Sequence, residues 1–185
     1  MIEAVVTILL GLFLLFLISF LALVLVSSLF HLKHMVPFVP TPAAVIETMI
    51  REAELKPGML VLDLGAGDGR VVRRALRREP GIRAVGYEGA FGVWLLAKLC
   101  NVMSTAKPEM RRQDFFQQNF SDADVIFTYL SIGIMQKLLP KLEKELKPGA
   151  KVISNTFSFK QREPIKKVFV KMPFWGGTNV LVYQF

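Results

Sequence analysis

The hydrophobic pattern divides the 185-residue chain at about residue 32. No charged residue lies between Glu3 and Lys33, and Ala4 to Phe30 is almost wholly Leu, Val, Ile, Phe and Ala. A bilayer core of roughly 30 Å takes about 20 apolar residues as a helix, so this run is long enough to span with some tilt. Its apolar residues fall all round the helix without a polar stripe, unlike a helix that lies on a membrane surface. A cleaved signal peptide would begin with basic residues, carry a shorter apolar stretch and end at small residues. Here the only early charge is Glu3, and His-Leu-Lys-His follows Phe30. The pattern predicts one transmembrane helix over residues 1–32, in a single-pass membrane protein. Lys33 at one end and Glu3 at the other place the following domain on the cytoplasmic side.

Beyond the apolar run the pattern changes. Pro37, Pro40 and Pro42 make residues 33–42 an extended linker that cannot continue a helix. Thr41-Pro42 reads as an N-cap and first helical position, and Val45, Ile46, Met49, Ile50 and Ala53 recur at helical spacing over 42–54. Met59 to Leu64 is a short, nearly continuous apolar run, the mark of a strand buried on both faces. A helix over about 70–78 follows, then a strand over 84–87 and a helix over 91–103 with Val93, Trp94, Leu96, Ala97 and Cys100 inward. Strands are expected at 110–113, 125–130 and 151–154, and a helix over 134–146 with Met135, Leu138, Leu139 and Leu142 on one face. Residues 165–170 and 180–185 read as a closing antiparallel pair around Gly176-Gly177. Alternating strands and helices predict an α/β domain over 43–185: a doubly wound, mostly parallel, Rossmann-like sheet with a C-terminal antiparallel hairpin.

Charge sharpens the division. All 23 Lys and Arg lie beyond the apolar run with all but one of the 15 acids, so the soluble part is more basic than the net +8 of the whole chain. Such a surface suits anionic lipid or nucleic acid, and equally a solvated surface with no partner; a specific nucleic-acid partner is not expected. Cys100 is the only cysteine, so no intrachain disulfide or thiolate metal cluster can form. His31 and His34 are the only histidines, at the membrane boundary and without further ligands nearby, so no metal site is expected. Phe157, Phe159, Phe174, Trp175 and Trp94 read as core or membrane-contact residues.

The strongest local signal is Val61-Leu62-Asp63-Leu64-Gly65-Ala66-Gly67-Asp68-Gly69-Arg70. Glycines at the carboxyl end of a strand let a ligand approach the backbone closely, and the helix that follows is expected to present unpaired N–H groups. Asp63 stands just before the loop and Glu88 ends the next strand, where an acid can accept both hydroxyls of a ribose. A dinucleotide fingerprint would place its third glycine one residue later, and a pyrophosphate would not welcome acids on both sides of the loop. A ligand carrying an amine and a sulfonium would. A tight turn with no ligand needs no flanking acids, although Asp63 can also serve as a cap and Asp114 as a solvated strand-end acid.

Asp-x-Gly-x-Gly-x-Gly resembles the first motif of class I S-adenosylmethionine-dependent methyltransferases, and the order of elements over 37–185 agrees with it. The resemblance implies S-adenosyl-L-methionine as cofactor, bound by Asp63, Gly65, Ala66, Gly67, Asp68 and Gly69, with Glu88 on the ribose and Asp114 and Phe115 at the adenine. Pro37-Phe38-Val39-Pro40-Thr41-Pro42, Gly86-Tyr87-Glu88 and Asn155-Thr156-Phe157-Ser158-Phe159 look like the small membrane-anchored protein-lysine methyltransferases, whose characterised members modify the ATP synthase c subunit and the adenine nucleotide translocase. That narrower resemblance implies methylation of a lysine on a membrane protein, with Thr41 over the cofactor. Gly89-Ala90-Phe91 departs from the Asn-Pro turn usual in those enzymes. The segment Phe127-Thr128-Tyr129-Leu130-Ser131 lacks the Asn/Asp-Pro-Pro-aromatic signature used on base amines and glutamine amides, and Tyr129 is the candidate for orienting the nucleophile. Rival readings are a methyltransferase for a lipid or quinone, a non-catalytic S-adenosylmethionine-binding adaptor, and a nicotinamide-dependent dehydrogenase.

Overall fold

The computed structural model describes residues 6–7, 9–22, 39–172 and 176–185. Contacts divide the chain into two units, Met1–Pro37 and Phe38–Phe185. In the first, residues 9–22 form a helix, α1, whose described side chains are all exposed. Among the described residues no helix is long and apolar enough to cross a membrane. The transmembrane expectation for residues 1–32 falls partly on 1–5, 8 and 23–32, outside the described residues, as do Lys33, His31, His34, Pro37, Phe174 and Trp175.

The second unit runs α2 (Ala43–Ala53), β1 (Leu60–Leu64), α3 (Arg70–Arg78), β2 (Arg83–Tyr87), α4 (Phe91–Val102), β3 (Glu109–Arg111), a 3-10 turn (Phe115–Gln117), β4 (Val125–Thr128), α5 (Ile132–Glu145), β5 (Lys151–Asn155), β6 (Lys166–Met172) and β7 (Gly176–Gln184). Its seven described strands form one sheet in the order β3-β2-β1-β4-β5-β7-β6. The first five are parallel, and β7 runs antiparallel between β5 and β6. The apolar runs LVLDL, RAVGY and VIFT form the centre because both sheet faces are covered, as continuous hydrophobicity requires. One core gathers Val45, Ile46, Met49 and Ile50 of α2 with Val71, Val72 and Ala75 of α3. The other gathers Met135, Leu138, Leu139 and Leu142 of α5 with Leu62, Leu64, Ile126 and Tyr183. The direction of winding reverses between β1 and β4, and ligands in such sheets bind outside the strands' carboxyl ends at that point.

Several boundaries move from the sequence expectation. Helix α2 begins at Ala43, with extended Pro42 in the cap position and no side-chain cap, so Thr41 stands one residue too early to cap it. Strand β4 stops at Thr128, and Leu130 turns its side chain against Gly65, 2.8 Å from where a Cβ there would stand. Gly176 and Gly177 belong to β7, paired with Met172 and Lys171, rather than forming the turn. The largest difference is in α4. Only Ala97 and Asn101 of that helix are buried; Leu96 is exposed, and Val93, Trp94 and Cys100 are half-buried. The Trp94 indole N–H donates to the Met110 carbonyl at 3.1 Å, so the helix packs along β3, a three-residue edge strand that offers little surface to cover it.

Candidate functional site

The sequence-predicted residues converge at the reversal point. Strand register sets Asp63 beside Gly86 and Phe127, and Leu64 beside Tyr87 and Thr128, so the glycine loop leaves the sheet between β2 and β4. Gly65, Gly67 and Gly69 all take positive φ, at 75°, 59° and 78°, where a side chain would be strained. Gly86 has the same need for space without the unusual backbone: a Cβ there would stand 2.8 Å from Ala66 Cβ and Met110 Sδ.

The loop's hydrogen bonds decide what kind of ligand fits. The Gly65 and Ala66 N–H groups both donate to the Tyr87 carbonyl, at 3.0 and 2.9 Å, and Gly69 N–H donates to the Ala66 carbonyl. Gly67 N–H donates to Glu88 Oε2 at 3.0 Å, while Ala90 N–H donates to Glu88 Oε1 at 2.8 Å. Arg70 N–H, at the start of α3, donates to Asp68 Oδ1 at 3.1 Å. The Gly65, Ala66, Gly67 and Gly69 amides of the loop, and the Arg70 amide at the helix start, are thus taken by the chain's own carbonyls and carboxylates and are not offered to a phosphate.

Instead, carboxylates gather. Asp63 is buried and its Oδ2 has no hydrogen-bond partner. Burial first, then the charges of Glu88 and Asp68, push the Asp63 pKa up to about 8. Asp63 caps nothing: the residue preceding α3 is Gly69, which supplies no side-chain bond. Burial also works to raise the Asp68 pKa, but hydrogen bonds and charge from Arg70, with Arg73 behind it, hold it below the usual value. Arg70 binds Asp68 through Nε at 3.0 Å and Nη2 at 2.8 Å, and its Nη1 donates to the Thr41 carbonyl at 3.3 Å. Thr41, itself buried, is thus joined to the loop by an arginine.

Arg70 was visible in the motif but without a role, and Arg73 had no signal at all. Arg73 is 8% exposed; its Nη1 donates to the Asp68 carbonyl and to Asn101 Oδ1, and Asn101 Nδ2 reaches the Pro108 carbonyl at 2.9 Å. Nothing in a run of five arginines over nine residues marks one as buried. Asp114 is exposed, and its carboxylate accepts Phe116 N–H at 2.9 Å as the cap of the 3-10 turn. Phe115 beside it is half-buried. After β4, Tyr129 is half-buried and stacks on Phe157 with ring centroids 6.0 Å apart. Phe159 is core, edge-on to Tyr183. A second network joins the ends of β5 and β7: Thr156, in the left-handed region at φ 69°, donates to Asn155 Oδ1 at 3.0 Å and meets the Thr178 hydroxyl at 2.6 Å. Thr128 Oγ1 is buried without a partner. Among the described residues no cluster of His, Cys, Asp and Glu could hold a metal.

An unpartnered buried carboxylate oxygen beside Asp68 and Glu88, at glycines without side chains, fits a cationic nucleoside and not a pyrophosphate. Known proteins agree. A protein-lysine N-methyltransferase of Saccharolobus islandicus is 33% identical over 153 residues, 81% of this chain and 92% of the relative. The adenine nucleotide translocase lysine N-methyltransferase of Mus musculus is 33% identical over 142 residues, of which this chain spans 60% of the relative's length. An RNA methyltransferase of Salinibacter ruber, solved with S-adenosyl-L-homocysteine, superposes with a TM-score of 0.73 at 32% identity, covering 79% of this chain and 93% of that one. The profile of the ANTKMT methyltransferase domain matches residues 63–166, from the buried aspartate of β1 to the start of β6. By that span and by these identities, this chain belongs to the ANTKMT methyltransferase family and is an S-adenosylmethionine-dependent methyltransferase.

Proposed function

We propose that the chain is a membrane-anchored protein-lysine N-methyltransferase acting on a protein at the membrane. The observation that carries the acceptor class is the 33% identity to a protein-lysine N-methyltransferase over 92% of that relative's length. The anchor reading rests on the uncharged run from Ala4 to Phe30, with a catalytic domain over 43–185 joined to it by the proline-rich segment 33–42. The domain then faces the cytoplasm, by the placement of Lys33 and Glu3.

The cofactor supplies a methyl group already activated on a sulfonium. Asp63, Asp68 and Glu88 would hold its charged and hydroxyl groups, Gly65, Ala66, Gly67 and Gly69 would let it approach the backbone, and Asp114 and Phe115 would border the base. Thr41 closes over the loop through its Arg70 contact. What remains for the protein is positioning. The acceptor lysine must arrive without its proton, and the half-buried aromatic pair of Tyr129, just after β4, and Phe157, just after β5, favours the neutral amine by excluding water. Tyr129 orients that amine.

Radiolabelled methyl transfer into a membrane extract tests this. Label in a band that protease destroys, recovered as methyl-lysine on hydrolysis, is the expected result. A second reading has its own support in the similarity to an RNA methyltransferase and the basic surface; label destroyed by ribonuclease and resistant to protease would favour it. Label extracted with lipid would instead indicate a lipid or quinone acceptor, and no label at all an adaptor.

A further inference from the structure

Among the described residues the exposed face of α4 has no partner. Leu95, Leu96, Leu99, Val102 and Met103 are exposed, the last three at 58%, 75% and 94%. Leu95, Leu99 and Val102 recur at helical spacing and form one stripe, with Leu96 and Met103 beside it. Scattered exposed apolar residues are ordinary, but four on one helix and a fifth at its C-cap, all within nine positions, mark an interaction surface. Helix packing explains why they are free: Ala97 and Asn101 face inward, and β3 leaves the rest uncovered.

Charge around the face selects what covers it. No acid occurs between Glu88 and Glu109, while Lys98 and Lys107 lie within that span. Glu88 is engaged by the Gly67 and Ala90 amides, and Glu109 is paired with Arg111 at 2.8 and 2.9 Å. Arg112, its guanidinium 5.1 Å from the Phe91 ring, adds a further cation at the N-terminal end of the helix. A second copy of this chain is a poor occupant, because a two-fold contact would set Lys98 and its basic neighbours against themselves. An apolar stripe bordered by Lys98 and Arg112, whose neighbouring acid Glu109 is already held by Arg111, complements the interface of an anionic bilayer, where leucine side chains enter the acyl boundary and lysines meet headgroup phosphates.

We propose that α4 is a lipid-contacting surface of the catalytic unit, seating in the interface of an anionic membrane. This deepens the membrane reading above but makes a separate claim, since it concerns residues of the second unit.

The test uses the full chain in a Cys100→Ser background carrying Leu99→Cys, Val102→Cys or, on the opposite side of the sheet, Lys137→Cys, each labelled with an environment-sensitive fluorophore. In vesicles of phosphatidylcholine and phosphatidylglycerol containing nitroxide lipids, labels at 99 and 102 are expected to be quenched about twofold or more, as groups held in the interface are, and the label at 137 to be unaffected. Omitting phosphatidylglycerol should weaken the quenching. Equal behaviour at all three positions would overturn the proposal, as would self-quenching between fluorophores at 99 on two copies. Release of the chain by alkaline carbonate would refute the transmembrane anchor alone, while the quenching contrast would still report on α4.

Discussion

Asp63→Asn is expected to stabilise the ligand-free protein while weakening cofactor binding. The buried carboxyl has its pKa raised from 3.8 to about 8 by burial and by the charges of Glu88 and Asp68. In the unfolded chain the group ionises near the lower value, so between the two the unfolded state gains a charge that the folded state resists. The contribution to stability is complete below pH 4, falls as pH rises, and is gone once pH passes the folded pKa. At 1.36 kcal/mol per pKa unit, roughly 3 kcal/mol is lost by pH 6 and at most about 5 kcal/mol by pH 8. Asparagine keeps the shape and removes the ionisation. Thermal melts of the ligand-free chain at pH 5 and pH 8 measure the difference. Wild type should lose several degrees over that interval and Asp63→Asn much less, with a variant melting point at pH 8 higher by about 2–4 °C per kcal/mol recovered. S-adenosylmethionine titrated by calorimetry should bind the variant about tenfold or more weakly, as befits a lost charge-assisted contact. Identical pH profiles for the two proteins would refute the reasoning, because the carboxyl would then not be held neutral by its surroundings.

Glu88→Ala should weaken S-adenosylhomocysteine binding by about 1–3 kcal/mol in the same calorimetric assay and lower the melting temperature, since the carboxylate also holds the Gly67 and Ala90 amides. Gly86→Ala should destabilise the fold by about 1–3 kcal/mol in urea titration, because the new methyl meets Ala66 and Met110 at 2.8 Å. Tyr129→Phe should leave cofactor affinity and the ring stack on Phe157 intact while lowering kcat on the order of 10–100-fold, as loss of nucleophile positioning does; unchanged kcat would remove the hydroxyl from the mechanism.

The elements that sequence predicted best are those where burial is two-sided or strictly periodic. Val45, Ile46, Met49, Ile50 and Ala53 of α2 and Met135, Leu138, Leu139 and Leu142 of α5 are buried as their spacing indicates. The glycine loop was legible because positive φ at three positions leaves glycine as nearly the sole choice. Helix α4 misled at Leu96, which helical spacing set inward with Val93, Trp94, Ala97 and Cys100 but which is exposed, and of those others only Ala97 is fully buried. Nothing in Leu95, Leu96 or Leu99 says that the edge strand beside them is only three residues long. Asp114 was legible in position, while its bond to Phe116 N–H depends on a local turn that no spacing announces. Arg73 could not be found at all: a buried arginine is defined by its partners, here the Asp68 carbonyl and Asn101, which lies 28 residues away.

The acid corner is costly as a piece of folding and coherent as a piece of binding. A packing-driven chain would put apolar residues where Asp63 stands, between Leu62 and Leu64, since every other described side chain of β1 is hydrophobic. It places there a carboxyl with an unpartnered oxygen, near Glu88 and an Asp68 that Arg70 neutralises. Asp68 is satisfied by Arg70 and Glu88 by two amides, so the loop is rigid before any ligand arrives. Asp63 alone is left in an environment that its charge disfavours. A cation entering the corner relieves that burial cost as well as adding its own attraction, so part of the binding energy is stored in the ligand-free fold. Rigid neighbours and one frustrated carboxyl are what a site needs if it is to favour a positively charged ligand without rearranging to do so.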